Sequence, residues 1–349
     1  MFSIVATETS VLTFISVPGI AYRGDWTFLQ LGLGYIFGRC LVSIFLLPLF
    51  FKYGITSIYE ILAKKFNIYI QRLASVTFLI TRIFADGVRF LATAIIIQSI
   101  TGWSISESIL LIGIITLIYT VLGGLKAVIH IDAFQFIIYL LSAVICIIFL
   151  FNSMGDSIPT SLNSLYEFGK LKTFDFSGNI LKNPFNFLSA FIGGTMLSLA
   201  SHGSDYMMVQ RVLSCKNLKS AQKAMIGSGF FVLLQFSIFL FAGSLIWEYI
   251  GGVPLPKDRE FSTFILEYLP LEIRSIMVIG VLSAAMSTLS SSINSLASST
   301  VIDIFKEKLS LYKSRLISVF WAIVLIMIAI AFDETDEALV YVGLRIASI

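Results

Sequence analysis

The sequence is short of the side chains that carry most catalytic chemistry. Its 349 residues include two histidines, His130 and His202, and three cysteines, Cys40, Cys146 and Cys215. Neither type recurs at metal-ligand spacing, and two of the cysteines fall inside apolar runs, which reads as reduced, inert thiols. An intramembrane enzyme needs a nucleophile beside a base, and no such set is legible, so the chain is not read as an enzyme. Charge is scarce as well. Asp, Glu, Lys and Arg make up 13% of the residues and the formal net charge is +3, too small and too scattered along short segments to imply a nucleic-acid partner. A cleavable signal peptide is also missing, because Met1 to Tyr22 lacks a basic start and contains Glu8. The first helix itself serves for insertion.

What fills the sequence is apolar surface: 57% of residues are hydrophobic and the mean hydropathy is +0.92. That is too much for a water-soluble domain and defines an all-α integral membrane protein, because apolar runs of span length, about 20 residues, recur along the chain and every backbone group must be satisfied inside the bilayer. The lipid bilayer is therefore a partner. Apolar runs between polar breaks predict a partial first helix from Met1 to about Ala21 and a second from Phe28 to Phe51. A third follows the basic stretch Lys64 to Arg72 and runs to Ile100. Further helices are predicted over Ser108–Leu122, Asp132–Phe151, Pro184–Leu213, Ala224–Ile250, Ser275–Ser298 and Arg315–Phe332, and a tenth, cut short, starts at Glu337. About nine to ten spans thus form a single transmembrane domain over residues 1–349, with partial first and tenth helices. Asn152 to Asn183 has the composition of an exposed loop.

Lys and Arg are biased between alternate loops. One side holds thirteen, among them Lys52, Lys64, Lys65, Arg72, Lys126, Arg211 and Lys308; the other holds seven, among them Arg23, Lys170 and Lys172. The richer side is the cytoplasmic one. The Asn152 to Asn183 loop is then external, and the chain is a multi-pass protein of the cell membrane.

After the loops are counted, Glu8, Arg39, Arg82, Asp86, Arg89 and Asp132 remain within or at the start of spans. A charge at mid-membrane costs at least ~2.5 kcal/mol and faces a partner or a water-filled cavity. Arg82, Asp86 and Arg89 share one helix face, as a structural ion pair or as part of a site. The second constellation is hydroxylic: Ser287, Thr288, Ser290, Ser291 and Ser292 crowd one helix far more densely than close packing requires. Oxygen donors suit a hard cation such as sodium, and hydroxyls can join backbone carbonyls freed where a facing helix is broken. The first helix offers breaks near Glu8 to Ser10 and at Pro18-Gly19.

Four segments together resemble the sodium/solute symporter family, whose members include sugar, proline and sialic-acid transporters. They are Ala6 to Phe14 with Pro18-Gly19, Gly123 to Gln135, Asp205 to Arg211, and the serine run ending in Asp303. The resemblance implies a leucine-transporter-type fold, two inverted five-helix repeats with the solute near the bilayer midplane. It implies a first sodium site of the carbonyls of Ala6, Thr9 and Ala284 with the hydroxyls of Ser287 and Thr288. A second sodium would use Asp132, Ser287, Ser290 and Ser291. Ser10, Thr13 and Arg82 match solute contacts of the sialic-acid branch, with the arginine on a carboxylate. Glu8 would tune ion binding or pair with Arg82. Ser198, Ser201 and Arg39 argue against a sugar. The activity implied is sodium-coupled symport of a small, carboxylate-bearing organic solute by alternating access. The alternatives are a non-transporting fragment and a transporter-like solute sensor, the latter normally carrying a cytoplasmic signalling domain. His202 reads as a packing or hydrogen-bonded residue.

Overall fold

A computed structural model describes residues 1–331 except 156, 181, 258 and 307–309, and among them every regular element is helical. The tenth helix expected from Glu337 and the loop cation Lys308 lie outside the described residues. Helices α1 (Phe2–Glu8) and α2 (Val11–Arg23) meet at 72°. Next, α3 (Leu29–Leu41) passes through a π-helical turn at Val42–Leu46 into α4 (Leu47–Tyr53), and the short α5 (Glu60–Lys65) precedes α6 (Ile68–Thr101). Then come α7 (Ile105–Met154), α8 (Ile158–Glu167), α9 (Phe187–Gly203), α10 (Tyr206–Leu213) and α11 (Leu218–Ile250). The series closes with α12 (Glu260–Glu267), α13 (Leu271–Ser299), whose last turns loosen into a π-helix at Thr300–Phe305, and α14 (Leu311–Ala331).

Local chemistry sets many of these ends. Asn67, Asn186 and Asn217 accept from backbone N–H groups in the first turns of α6, α9 and α11. Ser104 and Glu107 form a reciprocal capping box at the start of α7. Within α7, Gly124 has φ 61° and ψ −172°, a conformation for glycine alone, and divides the helix into Ile105–Leu125 and Ala127–Met154. Asp132 and His130 therefore stand inside a helix, the former not at its start and the latter not in a loop. The expected Pro184–Leu213 helix is likewise two, broken at Ser204-Asp205, where Asp205 Oδ1 accepts from Met208 N at 3.2 Å and caps α10. The second break foreseen in the first span, at Pro18-Gly19, does not occur. α2 continues through Pro18, and α11 packs on that turn so closely that a Cβ on Gly243 would lie 2.1 Å from the Pro18 carbonyl oxygen.

Among the described residues, six helices are long and apolar enough to span a membrane, or seven if the bent α1–α2 pair counts as one. That is fewer than the nine to ten expected. α6 carries Arg72, Arg82, Asp86 and Arg89, and α9 has only 17 residues. The Asn152–Asn183 segment is less loop-like than its composition suggests. It contains α8, and Asp175 accepts from the Ser177 hydroxyl at 2.6 Å, from Lys172 Nζ at 3.2 Å and from Asn183 Nδ2 at 3.2 Å. Those bonds hold its carboxyl down to about 2.

On the side bearing α8 and α12, Phe14 of α2 is fully buried, with ring centroids 5.4 Å from Tyr139, 5.2 Å from Phe239 and 5.1 Å from Phe261 of α12. The Arg23–Glu260 pair adds a second tie between α2 and α12. α3 and α9 touch backbone to backbone: a Cβ on Gly34 would sit 2.3 Å from the Phe191 carbonyl oxygen, and one on Gly194 would sit 2.4 Å from that of Leu31. Gly34→Ala should therefore destabilise the protein by ~1–3 kcal/mol. Gly193→Ala, whose Cβ meets nothing within 4 Å, should not. Thermal unfolding midpoints in detergent make the comparison, and equal midpoints would contradict the packing described.

Candidate functional site

The α1–α2 break leaves Thr9 and Ser10 extended, so backbone carbonyls at the end of α1 lose their intrahelical partners. The serine-rich face of α13 meets them. Ser287 Oγ donates to the Ala6 carbonyl at 3.3 Å. Thr288 Oγ1 lies 3.2 Å from the carbonyl oxygens of both Thr9 and Ala284. The structure thus brings together all of Ala6, Thr9, Ala284, Ser287 and Thr288, each at most 4% exposed. The set is three carbonyls and two hydroxyls, neutral oxygens suited to a hard cation of low charge. Among the described residues no group of three His, Cys, Asp or Glu could hold a transition metal.

A turn deeper stands Asp132, fully buried. Its Oδ1 accepts from Ser287 Oγ at 3.0 Å; its Oδ2 accepts from Ser3 Oγ at 3.1 Å and Ser291 Oγ at 3.4 Å. Ser290 is near but turns its hydroxyl to the Ser287 carbonyl, 3.1 Å away. The unforeseen member is Arg211 of α10. Its guanidinium donates to Asp132 Oδ2 at 3.1 Å, to Ser3 Oγ at 3.2 Å and to Ser291. Arg211 is 3% exposed, so it is not one of the loop cations. The signal for it was the Asp205–Arg211 segment, whose two charged ends both turn inward. Ser287, bonded to Ala6 and to Asp132, joins the two oxygen clusters.

Beside the break lies a cavity of about 650 Å³, lined by Glu8, Ser10, Thr13, Arg82, Arg89, Ser201, Asp205 and Gln235 among others. Tyr59, Ile70 and Leu73 line it toward the α5 side, and Val17, Phe28, Tyr35 and Phe236 line another part of its wall. Arg82 is not free: it pairs with Asp205, and its Nη1 is 3.5 Å from Asp86 Oδ1. Arg89 donates to the same Asp86 oxygen at 2.9 Å. Glu8 pairs with the fully buried Arg39, not with Arg82, and its Oε2 is 3.7 Å from His202 Nε2. Arg39 in turn donates to Ser228 at 2.5 Å. Ser201 faces the cavity and its hydroxyl is 2.8 Å from His202 Nδ1, while Ser198 turns to the Tyr35 carbonyl, 3.1 Å away. Gln235 was not anticipated. Its Oε1 accepts from Thr9 Oγ1 at 2.7 Å, which leaves its buried Nε2 without a protein partner among the described residues.

Helices broken beside a cavity, with freed carbonyls facing hydroxyls of another helix, define a membrane transporter fold. The family model for the sodium:solute symporter family matches residues 1–342, and the chain belongs to that family. Human sodium-coupled monocarboxylate transporter 2 is 28% identical over 351 residues, 94% of this chain and 56% of the relative. Human sodium-coupled monocarboxylate transporter 1 is 31% identical over 314 residues, 87% of this chain and 51% of the relative. The chain spans about half the length of these curated relatives. A solved structure of a Na+-coupled sialic acid symporter, described as substrate-bound and outward-open, superposes with a TM-score of 0.84 at 23% identity, over 95% of this chain and 73% of that one.

The Asp132–Arg211 pair is dry on both sides, so removing one partner strands a buried charge. Arg211→Met or Asp132→Asn alone should each cost ~3–5 kcal/mol of stability. The Arg211→Met/Asp132→Asn double variant should recover more than half of that loss. Chemical unfolding in detergent gives the double-mutant cycle, and additive losses would refute the coupling.

Proposed function

We propose that the protein is a sodium-coupled symporter of a small carboxylate-bearing organic solute, working by alternating access in the cell membrane. The observation that carries this reading is the convergence of Ala6, Thr9 and Ala284 carbonyls with the Ser287 and Thr288 hydroxyls at the α1–α2 break. A sodium ion bound there would replace these hydrogen bonds with ligand bonds and tie α1–α2 to α13. A second sodium would use Asp132, Ser287, Ser290 and Ser291. Asp132 Oδ1 already meets Ser287, but Arg211 holds Oδ2, so filling this second position requires the guanidinium to withdraw.

Two inverted five-helix repeats account for the arrangement of breaks. α1–α2 would open the first repeat and α9–α10 the second, each as one broken span. The first repeat continues with α3–α4, α6 and the two halves of α7. The second continues, within the described residues, with α11, α13 and α14. Counted this way, α6 and α9 cross the membrane despite the charges of one and the shortness of the other, because both face the cavity or other helices.

The solute carboxylate would sit at the N-terminus of α2. Ser10 makes no side-chain cap there, so the first N–H groups of α2 present their partial positive charge beside Arg82 and the Ser10 and Thr13 hydroxyls. Glu8, on the opposite lip of the break, completes the solute surface. With the α8/α12 side external, the exposed cavity residues Ile70 and Leu73 on the α5 side make this the inward-facing state. Coupling follows if sodium binds the solute-competent state better than the others.

The test is uptake by the full-length protein in proteoliposomes under an imposed sodium gradient. Ser287→Ala and Thr288→Ala should each raise the sodium concentration for half-maximal uptake about tenfold, the equivalent of ~1.4 kcal/mol, while insertion is preserved. Sodium dependence unchanged in both variants would remove the assignment.

A further inference from the structure

The charges around the cavity balance. Arg39, Arg82 and Arg89 are matched by Glu8, Asp86 and Asp205, and each of the six lies in an ion pair. Arg39 and Asp86 are fully buried behind the wall, whereas the other four line the cavity. The wall therefore offers both signs. Two features divide them. The cationic face has unused donors: Arg82 Nε and Gln235 Nε2 are buried without a protein partner among the described residues, and the α2 N-terminus is uncapped by a side chain. The anionic face is Asp205, whose Oδ1 is committed to capping α10 and whose Oδ2 meets Arg82.

We infer that the solute is a zwitterion, an α-amino acid or a closely similar ammonium-carboxylate, which inserts into the Arg82–Asp205 pair. This deepens the carboxylate reading above and rests on it. A plain carboxylate that displaces Asp205 from the Arg82 Nη2 group leaves a half-buried anion uncompensated in a low-dielectric site. An ammonium carried on the same molecule replaces the guanidinium at Asp205. One ion pair is then exchanged for two, and the balance of charge is kept. Sodium at the α1–α2 break does not supply the missing partner, because its donors are Ala6, Thr9, Ala284, Ser287 and Thr288, not Asp205. Nor does Arg89, which is already held by Asp86 at 2.9 Å. A bare amine fails for the mirror reason, leaving the Arg82 and Gln235 donors unanswered. Asp205 is on this account the residue that separates amino acids from the monocarboxylates named for the human relatives.

The experiment uses matched probes on the full-length protein in proteoliposomes under an inward sodium gradient: alanine with propionate and propylamine, leucine with 4-methylpentanoate, proline with cyclopentanecarboxylate. At least one amino acid should drive sodium-dependent uptake, or inhibit it, at a concentration tenfold or more below that of its deaminated partner. Asp205→Asn should erase that preference by weakening the amino acid about tenfold while leaving the carboxylate equal or better, and Asp205→Glu should restore it. The unaltered protein's discrimination stands as a result even if Asp205→Asn does not fold. Sodium-dependent uptake in which deaminated partners match the amino acids, or in which Asp205→Asn weakens both alike, overturns this inference and leaves the carboxylate reading standing. Absence of sodium-dependent uptake of every carboxylate-bearing probe overturns both.

Discussion

A helix interrupted inside a bilayer is stable only if something answers the backbone groups it frees, and here that duty falls on hydroxyls from α13. Ser287 and Thr288 reach the carbonyls of Ala6 and Thr9. Without them the Thr9-Ser10 break would leave polar backbone in an apolar interior, at several kcal/mol per group. This explains why α13 is so rich in serine and so deeply buried. It also makes the break convertible: donors that satisfy carbonyls by hydrogen bonding can be exchanged for a cation that satisfies the same oxygens. On the sodium reading proposed above, the rest of the site is arranged around that exchange. The Gly124 kink separates the two halves of α7, and the second half carries Asp132 to Ser287, so that a single hydroxyl touches both oxygen clusters.

The charges obey the same economy of position. Arg39, Arg211, Asp86 and Asp132 are almost wholly removed from solvent, and each has an opposite charge within reach. The cavity-wall members Glu8, Arg82, Arg89 and Asp205 keep part of their surface open. Buried ion pairs of this kind add little net stability compared with apolar packing, but they penalise any arrangement in which one partner is lost. They define which helix positions are permitted.

How much of this could be read from the sequence differed by the range of the interaction. Helical segments follow from local hydropathy, and among the described residues helices stand where apolar runs placed them, but the Pro184–Leu213 run divides in two and six or seven helices, not nine to ten, qualify as spans. The α1–α2 break and the α13 serines were legible because hydroxyl density and local helix-breaking residues are properties of one segment. Arg211, the Glu8–Arg39 pair and the Ser204-Asp205 break were not. Arg211 looks like any cation near a helix end until α10 is folded back against α1. Glu8 has Arg82 and Arg39 as equally plausible partners in one dimension, and only the contact between α1 and α3 chooses. Pro18 erred in the other direction: a residue that breaks isolated helices was accommodated once α11 packed on it through Gly243.

The glycine contact between α3 and α9 carries a further meaning. With Gly34 and Gly194 each pressed on the other helix's carbonyls, the two helices fit as a dovetail joint does, with no side-chain cushion to shear. Sliding one past the other would drive backbone into backbone. On the alternating-access reading proposed above, the rearrangement must carry α3 and α9 as one piece, and the compliance it needs must come from the places where the chain is already interrupted.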